Sequence, residues 1–285
     1  RVEIKNKIKA LVYNKIGVAI INGSDNIVLS KFLGLTVLGI YNSYYYVFSL
    51  LYGVFDVFHS AITAGIGNKI ITDSREKNSK LFDSICFMNY WAVGICTTCL
   101  CALYKPFMSL WIGSDKSMPY LFSILMAFYF FFWMIRFVVL IFKNAQGLWV
   151  EDRFRPLIEG IVNLALNLIM VKKYGLFGIV LSTVASMVFI SLPWETYVLF
   201  KYYFRRSFWP YLFNMVKWTT LISITSFSSM FIVNLLNKET IGMFILKIMI
   251  CLIISNLVYY IVYRKTANIS YMIKFFRGLL YKLKH

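Results

Sequence analysis

"FYFFFWMIRFVVLIF", residues 128–142, carries one charge, Arg136, in fifteen positions. With its flanks the apolar segment runs over 119–142, the length a helix needs to cross about 30 Å of hydrocarbon. Similar segments lie at 10–33, 38–65, 81–103, 156–171, 176–200, 210–235 and 241–263, bounded by charges and by Pro/Gly clusters. The composition agrees, because 60% hydrophobic residues, 19% aromatics and a mean hydropathy of +0.69 leave too little polar surface to wrap a soluble globule. Strand-like alternation is absent, so the spans form a helical bundle and not a barrel. The sequence therefore predicts an all-α integral membrane protein of about eight transmembrane helices, with no soluble domain between them.

Lysine and arginine set the orientation. They gather at Arg1–Lys15, Lys69–Lys80, Lys143–Arg155, Lys201–Arg206 and Arg264–Lys284, which are alternate connections, and outnumber those in the remaining loops by about 21 to 6. Positive loops stay in the cytoplasm, so both ends of the chain are expected there. This distribution also accounts for the net charge of +18. A nucleic-acid groove would collect its cations on one folded face, whereas these mark connections and a tail, so no nucleic-acid partner is expected. After Tyr263 the lysines alternate with Phe275, Phe276, Leu279 and Leu280, a pattern suited to lying on anionic lipid. The chain starts at Arg1 without a signal peptide, and is expected to be the later part of a longer polypeptide.

Polar residues at membrane depth are costly and therefore informative. Asn14, Asn22 and Asp25 share one helical face, with Ile20, Ile21, Ile27 and Val28 mostly elsewhere. That face lines an interior cavity or packs against another span. Tyr52, Asp56, His59 and Thr63 form a second stripe, in which Asp56 and His59, one turn apart, either relay a proton or serve as structural hydrogen-bonding groups. Arg136 either grips a phosphate or carboxylate or snorkels towards the headgroups near Lys143. Glu159, Asn163 and Asn167, spaced by four, either bind sugar hydroxyls or lock helices together. Cys96, Cys99 and Cys101 lack a second cysteine pair or nearby histidine and fit packing better than a metal site. No nucleophile–histidine–acid set, glycine-rich phosphate loop or metal-ligand pattern occurs, which points away from an enzyme and towards transport.

Two stretches then carry a resemblance, "DNIVLSKFLGLTVLGIYNSYYYV" (25–47) and "RPLIEGIVNLALNLIMVKKYGLFGIVLSTVAS" (155–186), together with the spacing between them. Asp25, Ser30 and Gly34 match a D-x-x-x-x-S-x-x-x-G run, and Gly175, Gly178 and Thr183 match G-x-x-G-x-x-x-x-T. Together they resemble the polysaccharide and O-antigen flippases of the MOP superfamily, over essentially the whole chain, as helices seven to fourteen. The resemblance implies a second six-helix bundle (1–205), two additional helices (206–263) and a basic interfacial tail (264–285). It implies a bacterial inner-membrane protein that moves undecaprenyl-diphosphate-linked oligosaccharide between leaflets. Its partners would be that lipid-linked substrate, membrane lipid and an N-terminal bundle of the same polypeptide. Arg136 and Lys247 become diphosphate partners, while Asp25, Asp56 and His59 tune cavity charge or carry a coupling proton or sodium ion. No other cofactor is implied. A cation-coupled drug exporter of the same superfamily and a non-transporting membrane scaffold stay open as alternatives.

Overall fold

The computed structural model describes residues 2–236, 240–273 and 277, with the backbone alone for residues 2–7 and Asn22. All regular elements among the described residues are helical. They are α1 (Val2–Thr72), α2 (Arg75–Ile112), α3 (Tyr120–Ala145), α4 (Arg155–Ser186), a π-helical turn (Met187–Ser191), α5 (Leu192–Val198), a second π-helical turn (Leu199–Phe204), α6 (Trp209–Asn234) and α7 (Ile241–Tyr263). Six stretches are long and apolar enough to cross a membrane: Ile8–Thr72, Arg75–Ile112, Tyr120–Ala145, Arg155–Phe204, Trp209–Asn234 and Ile241–Tyr263. Phe275, Phe276, Leu279 and Leu280, which the sequence leads one to expect at a lipid surface, lie outside the described residues.

Two of the six are long enough for two crossings. At 1.5 Å per residue, 65 and 50 residues would reach roughly 98 and 75 Å, against about 30 Å of hydrocarbon. Each is broken at one glycine with positive φ, Gly34 (φ 84°) and Gly175 (φ 56°), a region where a Cβ would collide with the carbonyl oxygen. At Gly175 the chain folds back on itself. Arg155 and Ser191, 36 residues apart, would be about 54 Å apart in a straight helix, yet Arg155 Nη1 donates to Ser191 Oγ at 3.3 Å.

The two arms of α1 also run in opposite directions. Gly17 packs on Pro156 and Ser24 bonds Asn163, so the first arm ascends alongside the first arm of α4. In the second arm Phe48 meets Phe130 and His59 stacks on Phe137, so this arm is parallel to α3. Helix α3 itself is antiparallel to α4, because Arg136 faces Glu159 while Lys143 lies towards Asp152 and Arg155. The sequence leads one to expect loops near 34–37 and 172–175. A single left-handed glycine replaces each loop. Pro106 likewise lies inside α2 instead of ending it near 103, a use of proline that membrane helices tolerate when neighbours absorb the freed backbone group.

The interior is aromatic. Phe82, Phe122, Phe130, Phe131, Phe142, Phe200 and Trp218 are almost fully buried, and Trp218 ties α6 to both α2 and the end of α7 by stacking on Tyr90 and Tyr263. Lipid tails are as apolar as these side chains, so close packing and interhelical hydrogen bonds hold such a bundle together. Between α1, α3 and α4 the aromatic filling gives way to polar groups.

Candidate functional site

Asp25 sits on the first arm of α1, facing the α4 hairpin, and is 8% exposed. One carboxylate oxygen accepts from Asn167 Nδ2 at 2.7 Å and the other from Thr183 Oγ1 at 2.9 Å. Both donors are neutral, and no lysine, arginine or histidine among the described residues reaches ion-pair distance of it. Beside it Ser24 Oγ donates to Asn163 Oδ1 at 2.9 Å, and Asn163 Nδ2 approaches Thr183 and Ser186. Asn167 Oδ1 is buried and has no hydrogen-bond partner. Neutral hydrogen-bonding groups surround a carboxylate that has no ion-pair partner among the described residues. Such a place suits a small bare cation or a proton.

One turn before Asn163, Glu159 belongs to a second group. Arg136, Lys143, Asp152, Arg155, Glu159 and Glu195 are each between 1 and 8% exposed. Arg136 donates to Glu195 from Nε at 2.7 Å and Nη2 at 3.0 Å, and its Nη1 lies 3.6 Å from Glu159. Arg155 reaches Glu159 at 2.7 Å, Glu195 at 3.0 Å and Asp152 at 3.1 Å. Lys143 pairs closely with Asp152 and stands 3.7 Å from Glu195. Three cations therefore share three carboxylates, in a place where an unpaired charge would cost several kcal/mol. Arg136 is buried and paired and does not snorkel.

Next to this cluster lies a cavity of about 280 Å³, lined among others by Asn14, Trp133, Arg136, Lys143, Trp149 and Arg155. No carboxylate lines it. Arg136, Lys143 and Arg155 line the wall beside two indole rings, with their nitrogens held by Asp152, Glu159 and Glu195. Forked guanidinium donors fit the oxygens of a phosphate or carboxylate, and aromatic faces pack against sugar-like rings.

Of the residues singled out from the sequence, the structure brings Asp25, Asn163 and Asn167 into one cluster and Arg136 with Glu159 into the other. The Glu159–Asn163–Asn167 stripe joins the two over roughly 12 Å of helix. Ser30 bonds only its own backbone at Ile27, outside both. The Asn22 side chain lies outside the described residues. Asp56 accepts from Tyr52, and His59 instead pairs with Asn89 at 3.1 Å while stacking on Phe137, so these two stand on the second arm of α1, apart from Asp25. Lys247 is buried on α7, one turn before Cys251 on the face towards α2 and α6, away from the cavity.

Sequence reasoning passed over Lys143, Asp152, Arg155 and Glu195 as members of the site. The first three looked like ordinary charges of a cytoplasmic connection. Glu195 in "SLPWETY" (191–197) did carry a signal, an acid inside an apolar span, by the same logic that singled out Asp25. No protein-family model, curated protein or solved structure matches the chain.

Proposed function

We propose that this chain forms one half of a flippase for lipid-linked oligosaccharide, of the kind that moves undecaprenyl-diphosphate-bound repeat units across the bacterial inner membrane. The observation that carries this is the 280 Å³ cavity whose wall offers Arg136, Lys143 and Arg155 with Trp133 and Trp149 and no carboxylate. A diphosphate needs charge-assisted donors, and a sugar needs flat apolar faces flanked by hydrogen-bonding groups. A cation exporter would call for the opposite sign of charge on that wall. A pure scaffold would pair every polar stripe dry against its neighbour, as Ser24 and Asn163 do, and would leave no cationic hollow.

Counting each arm of α1 and of the Arg155–Phe204 hairpin as a crossing gives eight spans with both ends on the cytoplasmic side. Residues 1–205 then make a six-helix bundle, with α6 and α7 as the additional pair, and a facing bundle closes the cavity. Asp25, with Asn167 and Thr183, holds the coupling ion, a proton or sodium.

The test is complementation in the full-length protein. Arg136→Ala abolishes surface polysaccharide and Arg136→Lys, which keeps the charge and loses the fork, reduces it, at unchanged protein level. Normal polysaccharide in Arg136→Ala cells would refute the assignment.

A further inference from the structure

Among the described residues, Glu195 is the one acid that touches all three cavity cations, with oxygens 2.7 to 3.7 Å from nitrogens of Arg136, Arg155 and Lys143. Each of those cations also keeps another acid: Arg136 has Glu159, Lys143 has Asp152, and Arg155 has both. Withdrawing Glu195 would therefore strand none of them.

The segment that carries Glu195 has an interrupted helical backbone. Helix α5 is only seven residues long, contains Pro193, and is bounded by π-helical turns at Met187–Ser191 and Leu199–Phe204. A π turn holds one residue more than an α turn, so its backbone ladder is easily re-registered. Two such turns in one span allow the piece between them to pass a residue from one to the other. That slip would rotate α5 by about 100° and shift it by about 1.5 Å without changing the length of the span.

Resting on the flippase assignment, we propose that Glu195 is a resident counter-anion of the cavity. It neutralises Arg136, Arg155 and Lys143 while the cavity is empty, and yields its hydrogen bonds to the phosphate oxygens of an incoming diphosphate. Because the ligand must displace an internal carboxylate, its net affinity is kept moderate, which a carrier that has to release its load requires. Glu195 acts here as a specificity-determining and positioning residue, through the cations it holds.

The experiment titrates purified full-length protein with inorganic pyrophosphate, read by fluorescence of the tryptophans, of which Trp133 and Trp149 line the cavity. Glu195→Gln should bind about tenfold more tightly than wild type and Glu195→Asp within about twofold of it. Equal or weaker binding by a folded Glu195→Gln overturns the proposal. Should that variant not fold, hydrogen exchange on the unaltered protein decides: pyrophosphate must speed amide exchange in 187–204 if Glu195 lets go, and unchanged or slower exchange overturns the proposal. No pyrophosphate binding by any form overturns both this and the diphosphate assignment. Tighter binding by Glu195→Gln, with no movement of lipid-linked oligosaccharide by wild type, leaves the counter-anion standing and removes the flippase.

Discussion

Arg136 and Glu195 face each other through two parallel contacts, Nε to Oε2 at 2.7 Å and Nη2 to Oε1 at 3.0 Å, joining α3 to α5 between residues 59 positions apart. A forked pair of this kind, nearly dry, is strong in geometry and still costly to have buried. Its removal therefore has unequal effects depending on what is left behind.

Arg136→Ala leaves Glu195 with Arg155 and Lys143, so the loss should fall at the low end of the range for breaking a buried pair, about 3 kcal/mol. The double variant Arg136→Met, Glu195→Met should recover much of that. A double-mutant cycle from thermal unfolding in detergent should give a coupling of at least about 1.5 kcal/mol. Additive effects would mean that the pair is only a neighbourly contact.

Gly17 and Gly53 should respond to alanine with opposite signs. A Cβ at Gly17 would lie 2.4 Å from the carbonyl carbon of Pro156 and 2.6 Å from the nitrogen of Leu157, backbone atoms that cannot step aside. Gly17→Ala should cost about 1–3 kcal/mol by prising α1 from α4. Nothing stands within 4 Å of the corresponding position at Gly53, where alanine should be neutral or stabilise by up to about 1 kcal/mol. Melting temperatures of the two variants settle it.

Asp25→Asn should leave stability within about 1 kcal/mol, because an amide can still accept from Asn167 or Thr183 and no longer buries an uncompensated charge. Asp25→Ala strands both donors and should cost about 1–3 kcal/mol. If sodium occupies the site, replacing choline chloride by sodium chloride at a hundredfold excess over Kd should stabilise the unaltered protein by about 2.7 kcal/mol and Asp25→Asn not at all. A sodium response that survives in Asp25→Asn would move the ion elsewhere.

Trp218 is fully buried, 4.5 Å from the Tyr263 ring and 5.7 Å from Tyr90, and its Nε1 has no hydrogen-bond partner. Trp218→Ala should cost about 3–5 kcal/mol. Trp218→Phe keeps an aromatic face and forfeits no hydrogen bond, so it should cost less than half as much. Equal losses would mean that the indole nitrogen matters after all.

The helical membrane character was legible in the apolar runs, since their lengths follow from bilayer thickness and from little else. The stripe Glu159–Asn163–Asn167 and the pairing of Asp25 with the α4 hairpin were half legible: helical spacing put the polar groups on common faces, but which faces meet is a tertiary matter. Arg155 and Lys143 were read as loop cations because charge near a span end is usually solvated. Here the connection 146–154 tucks Asp152, 1% exposed, between them and draws both inward. Glu195 has no partner within its own span, so nothing local marked it as one side of an ion pair, and π-helical turns have no pattern in sequence that α-helical turns lack.

The bonds that satisfy Asp25 span 142 and 158 residues of chain. At about 5–20 residues per second, synthesis delivers Asn167 and Thr183 some 7 to 30 s after the aspartate. For that interval the first arm of α1 carries an unassisted carboxylate, worth about 2.5–3.5 kcal/mol against insertion. The growing polypeptide thus commits this arm to the bilayer before Asn167 and Thr183 can reach Asp25. Biogenesis, more than the finished fold, is where Asp25 exacts its greatest risk.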